Sequence, residues 1–316
     1  MIPDGAGSGV WCAGLAVERR LPEKDRQGSN MVAIIGVLVV IFSVAGGYAM
    51  AKGPFAVLFQ PSELVIILGS GLGTVLISTP PKVLKALGAA LPIVFKGSPY
   101  TKAAYIELLT MQFEVFSKMR KNGLLALEED VADPNASPTF QSYPKFLGNK
   151  KAVTFFCDSL KLLIDGTDAG DAEHIMMSDM ATQAEESVLP AGVLSKVGDA
   201  MPGLGIVAAV LGIIVTMQSL DGPPEVLGEH IGAALVGTFL GILVSYGFFQ
   251  PIAGALESIT RDENKYLQCM MVGLISSAQG ASPRTAIEQV RRVIYTAERP
   301  TTVDMAEAVN SIKGKT

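Results

Sequence analysis

Four stretches of this chain run without Asp, Glu, Lys or Arg for long enough to cross a bilayer, and they fall in two pairs. A helix rises 1.5 Å per residue, so about 20 apolar residues span the hydrocarbon core. The first stretch covers residues 27–51 with a core at 31–50, and the second has its core at 64–78. The third runs over residues 200–220, between Asp199 and Asp221, and the fourth over 230–256, between Glu229 and Glu257. Short connections, 51–61 and 221–229, join the members of each pair. With 49% hydrophobic and only 17% charged residues, part of this chain must be solvated by lipid.

The pattern divides the chain into five parts: a leader 1–30, a first pair of transmembrane helices 31–78, a polar loop 79–199, a second pair 200–256 and a tail 257–316. The leader has no apolar run ahead of a cleavage site, so it reads as a start placed upstream of the true initiator Met31, or as a disordered arm. The loop carries twelve Lys or Arg and the tail eight, whereas the two short connections hold one, Lys52. Positively charged segments stay on the cytoplasmic side, so loop and tail are both expected there. Helical spacing in the loop predicts helices over 100–121, 152–164 and 171–187, with Glu114 and Lys118 at i,i+4, and the tail adds helices over 266–277 and 283–297. The fold expected is an all-α integral membrane protein, with four transmembrane helices in two hairpins and a helical cytoplasmic domain built from the large loop and the C-terminal tail.

Several function classes drop out. A net charge of −5 with no basic stripe argues against nucleic-acid binding. Cys12, Cys157 and Cys269 stand far apart, and His174 and His230 have no ligand cluster, so neither a disulfide framework nor a metal or other cofactor is expected. There is no nucleophile elbow, P-loop, HExxH or dinucleotide fingerprint, so the chain does not read as an enzyme. The run Gly69-Ser70-Gly71-Leu72-Gly73, the pair Gly237 and Gly241, and Ala208 with Gly212 read as faces on which membrane helices pack closely.

What the spans lack is as telling. Proton transport needs an intramembrane carboxylate or histidine, and the cores of the four spans offer neither, since His230 marks a boundary; they hold polar groups such as Ser43, Ser70, Thr74, Thr216, Gln218, Thr238, Ser245 and Tyr246, with Pro202 and Pro251 disturbing two helices near their ends. If ions cross here, a second protein must bring the titrating carboxylate.

A set of short motifs sharpens this: Gly46-Gly47-Tyr48, the run from Gln60 to Ile67, Tyr100-Thr101-Lys102-Ala103, the run from Val197 to Ala209, the run from Val236 to Leu243, and Glu298-Arg299-Pro300. In these the chain resembles the stator A subunits (MotA) of proton-driven flagellar motors, over nearly its whole length from Met31. The resemblance implies a multi-pass protein of the bacterial inner membrane. It implies a homo-oligomer of five copies around a dimer of a MotB-type single-span partner, whose membrane aspartate takes the proton, and a cytoplasmic domain that pushes the rotor protein FliG. Carried over by position, Arg120 and Glu128 match charges that contact the rotor, Pro202 and Pro251 match two conformationally important prolines, and Thr238 matches a polar residue near the ion path. Ala209 stands where sodium-driven relatives tend to have threonine; it supplies no oxygen ligand for a hard cation, which favours protons. The alternatives are an energiser of the ExbB or TolQ kind, which typically has three spans, and a stand-alone transporter, which would carry its own mid-membrane charges.

Overall fold

The structure, a computed structural model, describes residues 24–218 and 223–313. Expectations for residues 1–23 of the leader lie outside the described residues, while residues 24–30 open the first helix. Every regular element among the described residues is helical: α1 (Lys24–Met50), α2 (Phe55–Leu58), α3 (Pro61–Ser78), α4 (Pro81–Lys96), α5 (Lys102–Asn122), α6 (Glu128–Ala132), α7 (Pro138–Gln141), α8 (Pro144–Leu147), α9 (Lys150–Ile164), α10 (Ala169–Met217), α11 (Pro224–Val244), α12 (Gln250–Ala278), α13 (Pro283–Val293) and α14 (Thr302–Lys313). Proline opens α3, α4, α11 and α13, where its fixed φ suits the first turn and its missing N–H costs nothing.

Four helical stretches are long and apolar enough to span a bilayer: Val32–Met50, Phe55–Ser78, part of Ala169–Met217 and part of Val226–Ala278. The last two do not stop at the membrane surface. α10 has 49 residues, so it extends about 75 Å, more than twice the hydrocarbon thickness. Asp168 caps its start by accepting from the Gly170 N–H at 2.9 Å, and no glycine turn interrupts it near Asp199. The separate helices expected at 171–187 and 200–220 are therefore one rod. α11, a π-helical turn Ser245–Phe249 and α12 likewise carry the chain from Pro224 to Ala278 without a loop. The π turn has a local cause: Pro251 lacks the N–H that would bond Gly247, and its ring needs room at that carbonyl.

The helical domain packs around α5, whose residues Leu108, Leu109, Met111, Val115 and Phe116 are fully buried. α5 is thus enclosed, with α7, α8, α13 and α14 all packed against it. Phe140, Phe146 and Phe156 form an aromatic triad with centroids 5.5, 6.2 and 5.7 Å apart. Each such ring, fully buried, contributes about 1.5–3 kcal/mol. The expected Glu114–Lys118 pair does not form. Lys118 instead meets the buried Asp130 at 2.6 Å, and Glu114 accepts from the Tyr143 hydroxyl at 2.6 Å. Asp130 also accepts from Ser137, so this carboxylate pins the turn after α6, while Glu128 and Glu129 beside it face solvent. Helices α4 and α14 have no counterpart in the sequence reading.

Candidate functional site

The site is the seam between α10 and α11, which run antiparallel in very close contact. A Cβ added at Gly205 would stand 2.7 Å from the Gly237 carbonyl, and one at Gly241 2.6 Å from the Met201 carbonyl. One at Gly212 would meet Ala234 at 2.9 Å. Only glycine lets the backbones approach this far, so the small residues expected at 208, 212, 237 and 241 do form a packing face, joined there by Gly205. In the Gly69 to Gly73 run only Gly71 packs within the chain, against Met201, while Gly69 and Gly73 look into open space.

Of the four residues expected along the ion path, Ala209, Pro202 and Thr238 lie on the two seam helices, while Pro251 lies beyond the π turn in α12. Ala209 lies at the Gly237 contact, its amide nitrogen 3.1 Å from where a Cβ at 237 would be, and Thr238 lies at the Gly205 contact through its Cα at 3.3 Å. Ala209 is buried and Thr238 half-buried. Pro202 is inside α10 rather than near its end, two turns below Ala209. Its missing N–H leaves the Gly198 carbonyl without a helical donor, and the fully buried Ser245 hydroxyl donates to that carbonyl at 2.6 Å. Pro251 is exposed, beside Gln250, whose side-chain amide donates to the Ser195 carbonyl at 3.2 Å and to Asp199 Oδ1 at 2.7 Å. Ser245 was only one of several polar residues in the sequence, because its partner lies 47 residues away.

No carboxylate lies in the span cores read from the sequence, but Glu63 stands one residue outside the second core, 64–78, and inside the apolar stretch Phe55–Ser78. Placed just outside the second span by its charge, Glu63 lies in the first turn of α3, only 5% exposed. Its Oε1 is 3.3 Å from the Cβ position of Gly212, and its Oε2 2.5 Å from that of Gly237. The carboxylate faces α10 and α11 rather than lipid, which is why it can sit within the apolar stretch Phe55–Ser78.

Arg120 and Glu128, the two residues expected at the rotor, lie away from this seam. Arg120 ends α5 and Glu128 begins α6, joined by Gly123, at φ 82°, and a 3-10 turn Leu124–Leu127. Both side chains are exposed, and among the described residues neither enters an ion pair.

A multi-pass helical subunit, with an apolar seam and a large domain carried on the same long helices, is the class that this fold and site define. The chain belongs to the MotA/TolQ/ExbB proton channel family. That family's profile matches residues 149–269, and the Motility protein A N-terminal profile matches residues 34–123. The chain is 39% identical to Motility protein A of Escherichia coli over 284 residues, covering 90% of this chain and 96% of that protein. It is 31% identical to the chemotaxis protein LafT of Vibrio parahaemolyticus, covering 86% and 95%. Among solved structures it is similar to the flagellar MotAB stator complex from Bacillus subtilis, with a TM-score of 0.66, 26% identity, and 81% and 92% coverage. The C. jejuni MotAB structure shares the fold with a TM-score of 0.73, at 23% identity over 86% and 99% of the two chains. By these likenesses its role is that of the stator A subunit of the flagellar motor.

Proposed function

We propose that the chain couples inward proton flow to torque, with a MotB-type partner supplying the membrane aspartate. The observation that carries this is the α10–α11 seam. Ala209 and Thr238 share one crossing of it, its described lining offers a single side-chain hydroxyl at that crossing, and α10, like α11 through the π turn and α12, continues without a loop into the helical domain. A proton needs only a titrating carboxylate and a hydrogen-bonded route, whereas a dehydrated sodium ion needs several oxygens. Pro202 and Pro251 loosen the two rods near the seam, so a change in charge at the partner's aspartate tilts the domain.

The loop 79–199 and the tail lie in the cytoplasm, as their Lys and Arg excess supports. There Arg120 and Glu128, exposed and unpaired among the described residues, meet charges of the rotor protein FliG. Five copies surround the partner dimer. The apolar faces one copy leaves open suit such a ring: no residue of the α1 span is fully buried within the chain, and Ile206, Val207 and Val210 of α10 are exposed. Four spans rather than three favour a motor over an envelope energiser. The test is complementation. Cells lacking their own A subunit should swim when given this chain with its partner, and should stay paralysed with the chain alone.

A further inference from the structure

Glu63 is a buried carboxylate for which neither the family role nor the four residues expected along the ion path account. It lies 5% exposed in a membrane helix, and its Oε2 is fully covered and has no hydrogen-bond partner. Its place is a hollow made by two glycines. A methyl group at Gly237 would stand 2.5 Å from Oε2, and one at Gly212 3.3 Å from Oε1. Ala208 closes the floor of the same hollow, its Cβ 3.1 Å from the Gly237 Cβ position.

Among the described residues no cation pairs with it. Residues 200–217 of α10 carry no titratable side chain, and α2 carries none. On α11, the exposed Glu229 precedes His230, which lies one turn from Ala234 on the seam face with its Nδ1 buried and unpartnered. Gln60, one turn ahead of Glu63, spends its amide on the Val57 carbonyl. An ionised carboxylate with no partner in such surroundings is expensive, so this group rests with a proton on it. Glu63 also stands where a proton would arrive. It is on the short-connection side of the bundle, five residues from the end of α10 through its Gly212 contact, and its other contact, Gly237, adjoins both Ala209 and Thr238.

We infer that Glu63 is a proton-carrying carboxylate of the conduction path, a second one beside the partner's aspartate. The step balances simply. From its resting acid form Glu63 gives its proton along the seam past Thr238 to the partner's carboxylate. The Glu63 carboxylate left behind then takes the next proton from hydronium on the outer side, leaving water and restoring the acid. This rests on the proposed coupling to proton flow.

Two measurements test it. Stators in native membranes, with the partner present, are treated with a hydrophobic carbodiimide, which reacts with protonated carboxyls, between about pH 5 and pH 9. Labelling of Glu63, read by mass spectrometry, should fall about tenfold per pH unit above its titration point. Labelling that is constant over the range would show a group that never exchanges its proton, and would overturn the inference. In swimming cells, Glu63→Gln keeps the shape and removes the exchange, so it should assemble yet lose about tenfold in speed, with Glu63→Asp retaining part of it. A Glu63→Gln variant that swims like wild type at every pH, with Glu63→Ala alone defective, would assign a packing role and overturn the inference. Should Glu63→Gln fail to assemble, the labelling titration decides. If the wild-type chain with its partner does not restore swimming, it is the motor reading that fails, while the labelling still reports on Glu63.

Discussion

Ser245 donates its hydroxyl hydrogen at 2.6 Å to the Gly198 carbonyl, which Pro202 leaves without a helical donor. This one bond ties α10 at its proline to the π turn that precedes Pro251, so the two helix disturbances are mechanically linked. Ser245→Ala orphans a buried carbonyl, at a cost of about 1–3 kcal/mol. The purified stator should melt several degrees lower and its swimming speed should fall, while Ser245→Cys, a weaker donor, lies between. Unchanged melting and speed in Ser245→Ala would break the link.

Rotor contact is tested by charge reversal. Arg120 and Glu128 are exposed on either side of the Gly123 turn, where complementary charges steer docking and contribute little to the fold. Arg120→Glu should impair motility at normal protein levels, and a reversed charge on the rotor should restore part of it. Normal swimming by an Arg120→Glu, Glu128→Lys double variant that still assembles would count against the contact.

The docking of the last helix depends on pH with a definite sign. Asp304 of α14 accepts from Lys102 at 2.8 Å, and from the Thr301 hydroxyl and N–H at 2.7 Å each. The Lys102 ammonium and these hydrogen bonds hold its carboxyl down at about 2. A carboxylate depressed in the folded state stabilises above its ordinary value, about 4, and that stabilisation is lost as pH falls toward about 2. Protection of α14 against hydrogen exchange, relative to the intrinsic rate at each pH, should therefore fall between about pH 4 and pH 2 ahead of α5, and Asp304→Asn should remove the difference. Protection of α14 that ignores pH in the wild type would contradict the assignment.

The proposed orientation, with loop and tail in the cytoplasm, rests on the Lys and Arg count and is tested by labelling. In a Cys12→Ser background the native thiols Cys157 and Cys269 are buried and burial pushes both up to about 12, so they label poorly. A cysteine in place of the exposed Lys150 should react with impermeant maleimide only after the cells are opened. Labelling in intact cells, from the periplasm, would reverse the topology.

Much of this architecture was legible because lipid imposes a simple rule: charge-free runs of about 20 residues announce spans. What stayed hidden follows from the same rule. Glu63 was counted as the charge that ends a gap, because a sequence does not show that its side chain turns into a glycine hollow instead of toward the membrane surface. Asp199 and Glu257 marked boundaries that α10 and α12 ignore, since a helix with no breaker continues from lipid into water. Lys118 found Asp130 rather than Glu114, because the folded chain brings a partly desolvated carboxylate closer than the helix neighbour. The glycine seam was readable from spacing, but that it joins Ala209 to Thr238 is a fact of register between two helices.

Ion choice is the most direct test of the account. Ala209 offers no side-chain oxygen at the crossing where Thr238 supplies one, so a sodium ion would be poorly coordinated, while a proton passes between carboxylates. The measurement is swimming speed of cells driven by this chain and its partner, with external sodium replaced by potassium at constant pH and membrane potential. Speed that is unchanged by the replacement and follows the proton-motive force is the predicted result; speed that collapses when sodium is withdrawn would contradict it.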